Sequence, residues 1–229
     1  MENTNTFKVQ STSSNLISLN VTPGHYATSS SHINYYIDMT SLKSRRSEAH
    51  AAAKVLATRY AATTIIDTIV CLDGTNVIGA YLADELLNTG ILSANLHNTA
   101  YIISPEQHSG GQLIFRENYL SMIKGKHVLV LLATATTGKT LQTALECIEY
   151  YGGEVVGVSS IFSAADEIHD EQINTIFRTE DIPNYETHSA ADCPLCKAGI
   201  PIKGIINSHG YSSPVSYTHL RAHETRHDL

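Results

Sequence analysis

The run Val128-Leu129-Val130-Leu131-Leu132-Ala133-Thr134-Ala135-Thr136-Thr137-Gly138-Lys139-Thr140 carries an apolar stretch into a cluster of hydroxyls, a glycine and a lysine. A buried strand passing into a helix N-terminus offers successive backbone N–H groups and the positive end of the helix dipole to an anion. Gly138 lets the backbone approach that anion, and Thr134, Thr136, Thr137 and Thr140 add hydroxyl donors. Lys139 adds a point charge, and Ala135 completes the loop. A phosphate is the natural guest. A second turn, Asp73-Gly74, ends the apolar run Ile69-Val70-Cys71-Leu72 and offers a carboxylate at another strand end.

Ala133-x4-Gly138-Lys139-Thr140 also matches a relaxed Walker A loop, with alanine in place of the first glycine. A phosphohydrolase of that kind needs an acidic residue at the end of another buried strand, and Asp73 is the candidate. Cys193-Pro194-Leu195-Cys196 is a single CxxC. A structural zinc site needs four ligands and usually shows two such pairs, so His188, His209 or a partner chain would have to complete it. A redox pair, which should open a helix after a strand, and incidental turn cysteines are the alternatives. Cys71 and Cys147 read as small apolar core residues. His219, His223 and His227 recur every fourth residue and would share one helix face. Their segment has almost no apolar content and resembles a translated sequencing adapter, so 214–229 is read as a non-native tail.

These groups need elements to hold them. Leu16–Val21 alternates as a half-buried strand ended by Pro23-Gly24, and Ile33–Ile37 is a second strand. Thr40 or Ser41 caps a long helix to about Tyr60. Ile65–Leu72 is a strand and Val77–Asn88 a helix with Gly90 beyond its end. Leu92–Leu96 and Tyr101–Ser104 read as short strands, and 105–111 as a polar loop. Val128–Leu132 is a continuous apolar strand, 134–140 a turn, Leu141–Tyr151 a helix ended by Gly152-Gly153, and Val155–Phe162 the next strand. Strands apolar on both faces, alternating with helices, imply an α/β fold with a mainly parallel sheet covered by helices on both faces. Ligands of such sheets sit outside the carboxyl ends of the strands, where both Asp73-Gly74 and 134–140 fall.

At 229 residues the chain has room for one domain with small N- and C-terminal additions. Its 42% apolar and 16% charged content is globular rather than disordered. A net charge of -7 argues against a dedicated nucleic-acid binder. No apolar run nears a membrane span, and MENTNTFKVQ has neither the basic start nor the apolar core of a signal peptide. Four cysteines make no disulfide framework, so a reduced, cytoplasmic protein is expected.

The apolar strand followed by Thr136-Thr137-Gly138-Lys139-Thr140 resembles the type I phosphoribosyltransferase family, whose loop binds the 5-phosphate of phosphoribosyl pyrophosphate (PRPP). Where that family carries two adjacent acids beside the ribose hydroxyls, this chain has Leu132 and Ala133. His32-Ile33-Asn34-Tyr35-Tyr36-Ile37-Asp38 is similar to a stretch of the orotate subfamily, which implies Tyr35 and Tyr36 as base-binding aromatics. Strand alternation lets at most one of them meet a base. The strand ending in Asp73-Gly74 resembles the one that cradles pyrophosphate. Glu106-Gln107-His108-Ser109-Gly110-Gly111 stands where the subfamily has a mobile loop, which implies a role for His108, Gly110 and Gly111. That loop carries lysines in the subfamily, and here Arg116 is the nearest base.

The resemblance covers about residues 15–165. It implies a domain at 15–185, with 1–14 frayed and 186–213 a CxxC-containing extension. It also implies transfer of a phosphoribosyl group between PRPP and a nitrogenous base, an orotate-like pyrimidine above others, in a homodimer. Mg²⁺ would arrive with PRPP, and Zn²⁺ is a second candidate cofactor at Cys193 and Cys196. The missing acids imply low activity, and the alternative is a non-catalytic module that binds PRPP or a nucleoside monophosphate.

Overall fold

Val128, Val130 and Leu132 alternate with Leu129, Leu131 and Ala133 along one strand, and the two sets enter two different cores. That is the period of a strand apolar on both faces, and it requires cover on each side of its sheet. The computed structural model describes residues 6–88, 94–95, 99–108, 111–207 and 210–213.

In chain order, β1 (Phe7–Gln10), β2 (Ser18–Ala27) and β3 (His32–Asp38) lead into α1 (Thr40–Ser44) and α2 (Arg46–Ala57). Then come β4 (Thr68–Cys71), α3 (Asn76–Asn88), β5 (Tyr101–Ile103) and a hairpin of β6 (Glu106–Gln107) and β7 (Leu113–Ile114). A 3-10 turn at Glu117–Met122 precedes β8 (His127–Ala135), α4 (Lys139–Tyr150), β9 (Glu154–Ser163), β10 (Glu167–Ile168) and β11 (Glu171–Arg178). The last elements are β12 (Thr187–His188), α5 (Pro194–Lys197), β13 (Gly204–Asn207) and β14 (Gly210–Ser212). Among the described residues no helix is long and apolar enough to cross a membrane.

The central sheet runs β10-β11-β9-β8-β4-β5, with β11, β9, β8, β4 and β5 parallel and only β10 antiparallel. The three strongest sequence strands are therefore neighbours in the order β4-β8-β9, each covered on both faces. One face packs Ile69, Leu129 and Leu131 against α2 and α3 through Ala53, Leu56, Ile78 and Leu82. The other packs Val70, Val130 and Leu132 against α4 through Leu141, Ala144 and Ile148. Each Leu, Ile or Val among them contributes about 1.5–3 kcal/mol on full burial.

Several expected boundaries move. β2 does not stop at Pro23-Gly24 but continues to Ala27, with the register shifting between Pro23 and Tyr26. A bulge accommodates a residue that cannot donate to the ladder. The expected single helix from 41 to 60 is broken at Arg45, whose backbone is extended, while Ser44 Oγ donates back to the carbonyl of Thr40 at 2.5 Å. Phe7–Gln10 pairs with β2 instead of fraying. β8 runs on through Thr134 and Ala135, which pair with Phe162 and Ser163, so those two residues are strand and not turn. Glu106–Gln107, read as loop, pairs with Leu113–Ile114. The expected strand at Leu92–Leu96 lies outside the described residues except for Ala94 and Asn95, which form a turn. Gly90 and the tail 214–229 also lie outside them.

The segment 186–213 does not stand apart as an extension. β12 pairs with β3, β13 lies parallel to β2, and β14 closes a hairpin on β13, giving a second sheet β12-β3-β2-β13-β14 with β1 beside β2. The two ends of the chain thus build one layer over the strand ends of the central sheet.

Candidate functional site

Strand order locates the site. From β4 the chain crosses to β5 on one side, and the later strands β8, β9 and β11 lie on the other. The order reverses between β4 and β8, and the crevice beyond the carboxyl ends of such a pair is where open α/β sheets bind ligands. A cleft lies there. It is lined by Asp73, by Leu132 to Leu141, by Tyr36, Thr40 and Lys43, by Thr28 to Ser30, and by Ile206, Asn207 and Gly210.

Because β8 extends to Ala135, only Thr136, Thr137 and Gly138 separate it from α4. Ala133, which a Walker A reading makes the start of the loop, is buried inside the strand. The phosphohydrolase reading loses its loop. Gly138 takes φ 75° at the N-cap of α4, and no side chain caps the helix. The first backbone N–H groups of a helix have no intrahelical acceptor, so the start of α4 offers donors of the kind an anion accepts. Lys139 at the first helical position opposes the dipole, an unfavourable placement that a bound anion would reverse. Thr137 and Thr140 are exposed to the cleft mouth, and Thr137 Oγ1 lies 3.3 Å from Ser30 Oγ across it.

Asp73 and Gly74 both take positive φ, 54° and 76°, which turns the chain sharply out of β4. Lys43 Nζ donates to the backbone carbonyl of Asp73 at 2.9 Å. Burial pushes the Asp73 carboxyl above the usual carboxylate range, opposed by a backbone hydrogen bond from Ala133 and by the charge of Lys43. Burial likewise holds Lys43 below the usual ammonium range. Asparagine tolerates the same left-handed backbone without a charge to desolvate. Asp73→Asn is therefore expected to raise the urea midpoint at pH 7. An acid with a raised folded pKa loses stability as pH climbs from its unfolded value, so the gain should vanish on titration to about pH 4. A variant less stable than wild type at pH 7 would contradict the burial argument.

The structure brings Asp73, Tyr36 and the threonine loop together and leaves other candidates outside. Tyr36 lines the cleft and packs on Tyr211 at 4.8 Å and Tyr26 at 5.9 Å, whereas Tyr35 turns to the core, edge-on to Phe7. Gly74 turns the chain but does not line the cleft. His108 and Gly111 belong to the β6–β7 hairpin, held by His108 N–H to Gln112 O at 2.8 Å, and neither is a lining residue. Gly110 lies outside the described residues. Arg116 makes a two-pronged pair with Glu106 and is engaged there. Cys71 and Cys147 are core, their thiols pushed up by burial to about 12 and about 11, so neither is a thiolate nucleophile.

Lys43, the Thr28–Ser30 turn and Asn207 escaped the sequence reading. The run Thr28-Ser29-Ser30-Ser31, four small hydroxyl residues before β3, is the signal that could have marked the turn. Nothing local separates Lys43 from its exposed neighbours Arg45 and Arg46. Outside the cleft, Cys193 and Cys196 meet His25 and His32, with their ligand atoms all within 4.8 Å of one another. His188 instead pairs with Glu186 at 3.1 Å, and His209 lies outside the described residues.

No family model matches the chain. It is 35% identical over 79 residues to the orotate phosphoribosyltransferase of Caldanaerobacter subterraneus subsp. tengcongensis, covering 34% of this chain and 40% of that protein. The chain thus spans less than half the length of the first curated relatives it matches. With the orotate phosphoribosyltransferase of Pelotomaculum thermopropionicum it shares 26% identity over 181 residues, 78% of this chain and 86% of the relative. Solved structures of orotate and adenine phosphoribosyltransferases also align with it. The adenine enzyme of Rhodothermus marinus does so at TM-score 0.47 and 17% identity, over 62% of this chain and 86% of that one. In sequence the chain is thus similar, at modest identity, to the type I phosphoribosyltransferases and among them to the orotate enzymes.

Proposed function

We propose that the cleft binds PRPP and transfers its phosphoribosyl group, slowly, to a nitrogenous base, with an orotate-like pyrimidine favoured. One observation carries this reading: the uncapped start of α4, with its threonines and Lys139, faces Asp73 across the switch point between β4 and β8. The 5-phosphate sits on the 136–140 backbone, and the pyrophosphate lies toward Asp73 and Lys43. Two lysines against one carboxylate give the described lining the positive bias such a ligand needs. Tyr36 offers a ring to the base. Transfer forms the bond from a ring nitrogen to C1 and breaks the bond from C1 to the pyrophosphate oxygen. The protein's share is positioning and stabilisation of the leaving charge.

Asp73 is the one carboxylate among the described lining residues, so the chain offers no cage for Mg²⁺. The donor set fits an ion carried in on pyrophosphate and water, where it would neutralise the leaving group. A homodimer belongs to the same proposal, and sedimentation of the full chain tests it. The second reading, a non-catalytic module that binds PRPP or a nucleoside monophosphate, is favoured by Leu132 and Ala133, both apolar and buried inside β8.

The two readings share the phosphate site and part at turnover. Hydrogen bonds to a charged group contribute about 1.5–3 kcal/mol each, so Thr137→Val with Thr140→Val should weaken PRPP binding at least ~100-fold in calorimetric titration. Undiminished binding would remove the phosphate assignment. Pyrophosphate release from PRPP and Mg²⁺ across a panel of bases then separates enzyme from binder. Release with orotate alone supports the favoured substrate, and none with any base leaves the binding module.

A further inference from the structure

We propose that His25, His32, Cys193 and Cys196 bind a zinc ion as a closed structural site that staples the two ends of the chain together. The site is separate from the cleft and does not depend on what the cleft does. His25 is near the end of β2 and His32 begins β3, so the two rings flank one tight turn. Cys193 is the N-cap of α5, with Pro194 at its first position, and Cys196 follows within the same turn. About 160 residues of chain separate the pairs, so only the tertiary structure brings them together.

Four of the six ligand–ligand distances match those of a metal tetrahedron, and all six lie within 4.8 Å. With Zn–S of about 2.3 Å and Zn–N of about 2.0–2.1 Å, neighbouring N and S ligands lie about 3.5 Å apart and two nitrogens about 3.3 Å apart. Here His25 Nε2 is 3.6 Å from both Cys193 Sγ and Cys196 Sγ, and Cys196 Sγ is 3.2 Å from His32 Nδ1. His25 Nε2 and His32 Nδ1 are 3.1 Å apart.

The surroundings also suit a metal. His25 Nδ1 lies 2.7 Å from the carbonyl oxygen of Ile200. A carbonyl only accepts, so Nδ1 carries the proton and Nε2 keeps its lone pair toward the cluster. His25 and Cys193 are buried, which shields the ion, and all four ligands come from protein, leaving no open position for a substrate. Two thiolates and two neutral imidazoles balance the charge of a divalent ion. Soft sulfur with imidazole in tetrahedral array selects zinc over the hard-oxygen cations. A redox CxxC has no use for two imidazoles converging on its sulfurs.

The staple has a structural purpose. β13 pairs with β2 through Gly204–Tyr26 and Ile205–Ala27 only, a short ladder for a segment that must hold the β13–β14 hairpin over the cleft. A metal at the adjoining ends of β2, β3 and α5 secures that layer where hydrogen bonds are few.

The test uses the full chain, purified without chelator and dialysed, with zinc read by elemental analysis. Stoichiometric zinc is expected, with Cys196→Ser and His32→Ala retaining at least about tenfold less and Cys147→Ser retaining it in full. Replacement by cobalt should give the intense visible bands of a tetrahedral site and a thiolate charge-transfer band. This reading on the wild-type protein holds even where a variant fails to fold. Metal-free wild type that takes up neither zinc nor cobalt, an octahedral cobalt spectrum, or full zinc retention by folded His32→Ala would overturn the proposal.

Discussion

Leu132→Glu is expected to remove most of the stability of the domain at pH 7, even though it restores one of the acids that related phosphate-loop strands carry. Leu132 is fully buried and packs with Val70, Val130, Leu141 and Ala144 on the α4 side of the sheet. Losing it forfeits about 1.5–3 kcal/mol of burial. Placing a carboxyl there raises its pKa by up to ~3–5 units, and each unit between the unfolded value and pH 7 costs about 1.4 kcal/mol. The sum, roughly 5 kcal/mol, is comparable to the whole stability of an ordinary domain. The sign with pH follows. The folded pKa lies above the unfolded one, so the electrostatic cost grows as pH climbs above about 4.3 and is nearly absent at pH 4.5. Urea midpoints at pH 7 and pH 4.5 check both the loss and its partial recovery. A midpoint at pH 7 equal to wild type would mean that the side chain reaches the cleft instead of the core. The neighbouring Ala133 is buried on the opposite face beside Asp73, so the apolar pair is built into both cores and is no surface substitution.

Gly138→Val should lower stability and phosphate binding together. The residue sits at φ 75°, where a branched side chain is strained by about 1–3 kcal/mol. A Cβ there would collide with Ile168 Cγ2 and stand 3.0 Å from His169 Nε2, so valine must also displace the β10–β11 turn, at about 1–3 kcal/mol more. The Cβ points to the turn. Denaturation midpoints with phosphate titration separate the two causes: a fall in both supports the turn contact, and loss of binding at an unchanged midpoint supports simple obstruction.

Much of the framework was legible because its determinants are local. Apolar runs at Ile65–Leu72, Val128–Leu132 and Val155–Phe162 point to buried parallel strands, the first of which is shorter in the structure, at Thr68–Cys71, and Gly138 and Asp73-Gly74 mark sharp turns by their backbone preferences. The errors were local too, and each had a competing interaction behind it. Pro23-Gly24 became a bulge because β3 continues past it, and Thr134-Ala135 stayed in the strand because β9 supplied partners for them. A single sequence shows which residues suit a strand but not how long its neighbours are.

The sequence by itself determined the α/β class, the paired strand-end turns and the threonine loop, because period and turn chemistry act over a few residues. Only the tertiary structure decided that Lys43 meets Asp73 and that Tyr36 faces the cleft while Tyr35 does not. It also turned Leu132 toward the α4 core and brought Cys193 and Cys196 to His25 and His32. Each of those depends on which face of one element meets another. That is settled by packing between segments distant in the chain, for which no local pattern exists.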